Sequence, residues 1–105
     1  MAEQFVTVAK VGEVRDGGMT YVEVQGTPIV LCRVEGQFYA VGNVCTHDNG
    51  LLSGGSLEGV AIECPRHGAR FDVRTGHVLC LPAPVPIPSY PVRVVGDDIQ
   101  VQVGS

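Results

Sequence analysis

Two short motifs, Cys45-Thr46-His47 and Cys64-Pro65-Arg66-His67, constrain this chain more than anything else in it. Sixteen residues, 48–63, separate them. Each motif supplies one thiolate and one imidazole. A fold that uses all four as one site must bring two loops side by side. Two sulfur and two nitrogen donors fill the protein-side coordination of a two-iron cluster, with Cys on one iron and His on the other. Cys and His in equal number also form a zinc set. Zinc modules usually pair Cys with Cys at two to four residues, then His with His, so mixed pairs fit zinc poorly. Four cysteines are also an even number, which admits a disulfide framework. Against it, two of them sit beside His in turn-like segments, and nothing marks the chain as secreted. Four unrelated loop residues are a further alternative, though the alternation of Cys and His is hard to obtain by accident.

A length of 105 residues predicts one domain spanning 1–105. An apolar fraction of 45% against 17% charged predicts a globular chain. The net charge of −4 disfavours nucleic acid, which needs clustered Lys and Arg. It suits a protein that docks on a basic partner surface. The start, Met1-Ala2-Glu3-Gln4-Phe5, lacks the basic and apolar stretches of a signal peptide. No apolar run approaches the length of a membrane span. A cytoplasmic protein without a membrane anchor is expected, with Cys32 and Cys80 reduced and buried.

The pattern along the chain is one short strand after another. Alternating or β-branched runs at 5–10, 20–24, 29–34 and 37–41 are broken by Gly17-Gly18, Gly26 and Glu35-Gly36. A closing hairpin is predicted from 91–95 and 99–103 across Gly96-Asp97-Asp98. No segment has trustworthy helical periodicity, so the fold is predicted to be all-β with at most one helical turn in the loops. Residues 43–84 differ in character. They are rich in Gly and Pro and hold three of the four cysteines and all three histidines. They read as a small metal-binding lobe inserted between strands of a basal β-domain. Within the lobe, 61–63 and 70–73 read as strands flanking the second motif, and Arg74-Thr75-Gly76 as a turn.

The order Cys-x-His, spacer, Cys-x-x-His resembles the Rieske 2Fe–2S family. The likeness spans essentially the whole chain. It is strongest in Cys64-Pro65-Arg66-His67-Gly68-Ala69-Arg70-Phe71-Asp72-Val73-Arg74-Thr75-Gly76 and Tyr90-Pro91-Val92-Arg93-Val94-Val95-Gly96-Asp97-Asp98. These stretches look like the ferredoxin components of bacterial aromatic ring-hydroxylating dioxygenase systems. The resemblance implies the Rieske fold, a basal antiparallel β-sandwich with an inserted cluster-binding lobe. It implies that Cys45 and Cys64 ligate the inner iron of one 2Fe–2S cluster and that His47 and His67 ligate the outer iron near the surface. It implies a proline-rich cover, here Leu81-Pro82-Ala83-Pro84. Pro86 and Pro88 read equally as a stiff connector. Gly50, Gly54, Gly55 and Gly68 follow the two motifs and let the chain fold tightly there. For Gly54 and Gly55 an ordinary surface turn is the stronger reading. His77 reads as a surface strand residue, and Arg66 and Arg70 as solvated charges beside the second motif.

By the same resemblance the chain carries single electrons from a flavin-dependent reductase to a terminal oxygenase. It is expected to be a monomer and not itself an enzyme. A terminal oxygenase would need a mononuclear iron held by two His and a carboxylate. Once His47 and His67 are used, His77 alone is left, so that triad cannot be built. The small subunit of a nitrite reductase shares the fold but often lacks the four ligands. An accessory protein of iron–sulfur assembly or redox sensing has the same sequence appearance. The high-potential branch of the family carries a disulfide beside the cluster, at positions matching Gly50 and Arg66 here, so that bridge cannot form. That branch also has Ser and Tyr hydroxyls donating to sulfur, where this chain has Ala69 and Phe71. The resemblance therefore implies a potential near the low end of the Rieske range, on the order of −150 mV.

Overall fold

Eight residues in the middle of the basal domain, Thr27–Val34, set the architecture. The run reads Thr-Pro-Ile-Val-Leu-Cys-Arg-Val, and Ile29, Val30, Leu31 and Cys32 are all fully buried. An apolar run with no polar alternation suits a strand covered on both faces. The computed structural model describes residues 4–43, 52–64, 68–80 and 85–103, with the side chains of Ser53 and Cys80 outside the description. Eleven strands are present among these residues: β1 (Phe5–Lys10), β2 (Met19–Val24), β3 (Thr27–Val34), β4 (Gln37–Gly42), β5 (Ser56–Glu58), β6 (Ala61–Glu63), β7 (Arg70–Asp72), β8 (Val78–Cys80), β9 (Ser89–Tyr90), β10 (Val92–Val95) and β11 (Asp98–Gln102). Two short 3-10 turns, Val11–Glu13 and Leu52–Gly54, complete the inventory where one helical turn was expected.

The strands form three antiparallel sheets, ordered β1-β11-β10, β2-β3-β4-β9 and β5-β6-β7-β8. The middle sheet is the shared wall. Two-residue turns at Gln25-Gly26 and Glu35-Gly36, all four residues at positive φ, close the β2–β3 and β3–β4 hairpins. That fixes the register, with Val24 opposite Thr27, Val34 opposite Gln37 and Val30 opposite Val41. Alternation then sorts the side chains. Ile29, Leu31 and Ala40 face the first sheet and pack with Val14, Val24, Ile99 and Val101. Val30, Cys32, Val34 and Val41 face the other way and pack with Leu52, Ile62, Cys64, Ala69, Phe71, Val73 and Ile87. The first set closes the basal sandwich, and the second seats the lobe on it.

Several boundaries differ from the sequence reading, each for a local reason. β3 begins before Pro28, which pairs opposite Glu23 near the strand's start, where a missing N–H is tolerated. β10 begins after Pro91, whose carbonyl instead accepts from Gln102 N–H at 3.1 Å. The last hairpin turns on Gly96-Asp97, with Val95 already paired to Asp98. β7 ends at Asp72, and Val73 enters the turn, its N–H bonded to the Val60 carbonyl at 2.8 Å. Strands β5, β8 and β9 are two or three residues long, too short to show a period.

The described charges on β5, β6, β7 and the following turn pair with one another. Arg70 sits opposite Glu63 across β6–β7, with its Nε and Nη2 each 3.0 Å from Glu63 Oε1 and Nη2 3.4 Å from Glu58 Oε1. At the turn after β7, Asp72 is 8% exposed and accepts from Arg74 three times. The Arg74 backbone N–H is 2.8 Å from Oδ1, Nε 3.1 Å from Oδ1 and Nη2 2.8 Å from Oδ2. These donors hold the Asp72 carboxyl below its ordinary value, against the opposing effect of burial. A carboxylate whose folded pKa is depressed stabilises the fold above its unfolded pKa, and that stability is lost as pH falls through the folded value.

Leu31→Ala removes a fully buried side chain from the basal core and should lower stability by about 2–5 kcal/mol, read as a drop in denaturant midpoint. Val95→Ala, at an exposed position, should stay within roughly 0.5 kcal/mol of wild type. Asp72→Asn should lower the thermal midpoint at pH 7, and its deficit should shrink as pH falls below about 4, the unfolded carboxyl's pKa, and through the lower folded value. An equal deficit at both pH values would show that the pair's charge contributes nothing.

Candidate metal centre

The two sequence motifs lie in segments whose flanking backbone is tied at the base. On the first side β4 ends at Gly42, and Asn43 follows, fully buried. Asn43 donates its backbone N–H to the Pro28 carbonyl at 3.2 Å and accepts at its own carbonyl from Leu52 N–H at 3.0 Å. Positions 43 and 52 are therefore joined directly, so the chain leaves and returns at one point. Leu52 is fully buried, and Gly54 and Gly55 continue from it, with Gly55 N–H on the Leu52 carbonyl at 2.9 Å. On the second side Cys64 follows β6. Its N–H donates to the Ala69 carbonyl at 2.8 Å, and its carbonyl accepts from Gly68 N–H at 3.3 Å. Gly68 adopts φ 77°, a conformation that glycine reaches without a Cβ penalty.

These two anchor points rest on the same core. Leu52, Cys64, Ala69 and Phe71 belong to one buried cluster with Val30, Cys32 and Val41 of the shared wall. Cys64 is 1% exposed. A buried thiol at a strand end, on a backbone already pinned to its loop's return, fits a ligand held in a fixed position. Of the four predicted ligands, Cys64 lies within the described residues, while Cys45, His47 and His67 lie outside them. Gly50, Arg66 and the cover residues Leu81-Pro82-Ala83-Pro84 lie outside them too.

The remaining candidates sort themselves by environment. His77 is exposed and stands immediately before β8 rather than within a strand. Its N–H donates to Thr75 Oγ1 at 3.2 Å, and its carbonyl accepts from Asp72 N–H at 2.9 Å. Its backbone serves the turn after β7. Arg70, read from sequence as a solvated charge, is instead paired with Glu63 and Glu58. Cys32 is a free thiol inside the core beneath the lobe, and burial pushes its pKa up to about 12. It stays protonated at neutral pH, as core filling rather than as a reactive thiolate. The anchoring role of Asn43 was not legible in sequence, because its partners Pro28 and Leu52 are distant along the chain.

Comparison with known proteins agrees with this geometry. The model of the Rieske 2Fe-2S domain matches residues 4–91. The chain is 40% identical over 103 residues to the ferredoxin component of the naphthalene 1,2-dioxygenase system of Pseudomonas aeruginosa, covering 98% of this chain and 99% of that one. Among solved structures it resembles the ferredoxin of carbazole 1,9a-dioxygenase from Nocardioides aromaticivorans IC177, with a TM-score of 0.90 and 36% identity over 93% of this chain and 96% of that one. It also matches a chain in the complex of reduced oxygenase and oxidized ferredoxin of carbazole 1,9a-dioxygenase, with a TM-score of 0.89 and 35% identity over 93% of this chain and 92% of that one. Among the described residues no helix is long and apolar enough to cross a membrane. With likeness of this extent, carried by an all-β fold whose two motif segments are anchored on one core, the chain belongs to the Rieske 2Fe–2S family as a ferredoxin component of aromatic ring-hydroxylating dioxygenase systems, an electron carrier rather than a catalyst.

Proposed function

We propose that Cys45, His47, Cys64 and His67 hold the 2Fe–2S cluster of a single domain, 1–105, with the cluster-binding lobe over about 43–84. The chain takes single electrons from a flavin-dependent reductase and delivers them to a terminal oxygenase, as a monomer in the cytoplasm. The observation that carries the ligand assignment is the pair of pinned anchors, Asn43–Leu52 and Cys64–Ala69, each bounding one Cys/His motif and both seated on one buried core. The four β-strands from Ser56 to Cys80 support the boundaries of the lobe. The free thiol of Cys32 supports a reducing compartment.

When bound, the cluster accepts and releases one electron at a time. The protein's part is to hold the ligands and control their surroundings. Two thiolates and two neutral imidazoles leave the centre less negative than four thiolates do, which favours reduction. Cys64, out of contact with water, gives a fixed sulfur ligand on the core side. Relatives serving naphthalene and carbazole systems are similarly close in sequence, which supports leaving choice of the organic substrate to the oxygenase. The nitrite reductase small-subunit and accessory-protein readings share the fold, but the near full-length sequence likeness favours the dioxygenase carrier.

The wild-type protein should purify reddish brown, contain inorganic sulfide, and show a rhombic EPR signal only after reduction. Cys64→Ser should abolish the cluster, and His77→Ala should keep it. A colourless protein with stoichiometric zinc would sink the assignment. Mixing with a candidate reductase and oxygenase should couple electron flow to oxygenase turnover, and salt should slow it if the acidic surface guides docking.

The potential offers a second check. Ala69 and Phe71 are both fully buried in the cluster of side chains that contains Cys64. A hydroxyl donating to sulfur favours the reduced form, because that form carries the extra negative charge. A hydrogen bond stronger by roughly 1 kcal/mol in that form raises a one-electron potential by about 40 mV. Wild type should lie near the low end of the family range, on the order of −150 mV. Ala69→Ser and Phe71→Tyr should each raise it by tens of millivolts, roughly one such hydrogen bond. A wild-type midpoint above about +100 mV, within that range, would instead require a donor outside this reading.

A further inference from the structure

The connector between the lobe and β9 is held at two consecutive residues by two glycines far apart in sequence. Ile87 donates its N–H to the Gly76 carbonyl at 3.0 Å. The Pro88 carbonyl accepts from Gly42 N–H at 2.9 Å. Both glycines are fitted to the contact. A Cβ on Gly76 would stand 1.9 Å from the Ile87 carbonyl oxygen and 3.0 Å from its carbon. The obstacle is backbone, so it cannot be relieved by turning a side chain. Gly76 also has φ 84°. A Cβ on Gly42 would meet Pro88 Cγ at 3.0 Å and Cδ at 3.1 Å. Gly42 immediately precedes Asn43, the anchor of the first motif segment, and Gly76 closes the turn that Asp72 organises, its N–H 2.6 Å from the Asp72 carbonyl.

What the clip delivers is the Ile87 side chain. It is 2% exposed and sits in the buried cluster that contains Leu52, Cys64, Ala69 and Phe71. Ile87 thus closes from the connector side the core on which both motif segments rest.

We propose that Gly76 and Gly42 act as positioning residues, a two-point clip that holds residues 85–88 against the core and keeps water from the Cys64 side of the centre, thereby lowering its reduction potential. The proposal rests on Cys64 being a cluster ligand. The physical link is solvation. The reduced centre bears one more negative charge, so admitting water beside its sulfur favours reduction and raises the potential.

The test compares Gly76→Ala and Gly42→Ala with Gly59→Ala in the holoprotein. Gly59 lies in the same lobe at φ 59° with nothing within 4 Å of the added Cβ, so its variant carries backbone strain without touching the connector. Three quantities are measured: hydrogen exchange of a peptide covering 85–90, the midpoint potential, and the EPR g-values. Gly76→Ala should exchange faster there, shift the midpoint upward and alter the g-values, while Gly59→Ala stays at wild type in all three. Gly42→Ala should move the same quantities the same way by less, since the Pro88 ring can yield. Should Gly76→Ala fail to fold, Gly42→Ala and Ile87→Ala carry the test. Wild-type midpoints and g-values in those variants, or shifts equal to those of Gly59→Ala, would overturn the proposal. A wild-type protein without a cluster would sink the ligand assignment instead, and faster exchange at 85–90 in the apoprotein variants would still support the mechanical half of the clip.

Discussion

Two-sided burial of the β3–β4 hairpin is the constraint on which the rest of the structure depends. A chain of this length buries only a modest core. Here one hairpin serves two cores by presenting alternate residues to opposite sides. Ile29 and Leu31 complete the basal sandwich, while Val30, Cys32 and Val34 form the floor of the lobe. Burying a side chain of this size is worth about 1.5–3 kcal/mol relative to exposure. Because the side-chain period is two, a one-residue slip would exchange the two sets and ruin both cores at once. The tight turns at Gln25-Gly26 and Glu35-Gly36 guard against that slip.

Leu52, Cys64 and Ala69, which bound the two motif segments, all pack against this wall. Each motif segment is tied off where it meets the core. The Asn43–Leu52 and Cys64–Ala69 hydrogen bonds act as knots, and the side chains beneath them are close-packed. A carrier that exchanges electrons without binding an organic substrate gains from such stiffness. Ligands that scarcely move between oxidation states keep the reorganisation on electron transfer small. The charges near the second segment fit the same economy. Arg70 is neutralised by Glu63 and Glu58. Such exposed pairs stabilise little, by about 0–1 kcal/mol.

Cys32 shows how burial selects among like residues. It lies in the same cluster of buried side chains as Cys64. Burial raises its pKa to about 12, so the thiol is held in its neutral form near neutral pH. The sequence offers four chemically equal thiols. Environment makes one of them core filling and leaves Cys64 at a strand end beside the anchored loop.

What the sequence alone determined is local. The Cys/His motifs, the Gly-bounded strand breaks and the all-β character are each written within a few residues, so spacing and periodicity reveal them. The strands near 5–10, 20–24, 29–34 and 37–41 were legible because they are long enough to show alternation. Only the tertiary structure decided the rest. β5, β8 and β9 exist because neighbouring strands complete their hydrogen bonds, which two or three residues cannot signal on their own. The pairing of Arg70 across β6–β7, the buried anchor at Asn43 and the seating of Ile87 against Gly76 each join groups that are not neighbours in the chain. No local pattern encodes such contacts. They arise when a compact fold leaves each buried backbone donor and acceptor to find a partner, and the nearest partner in space is seldom the nearest in the chain.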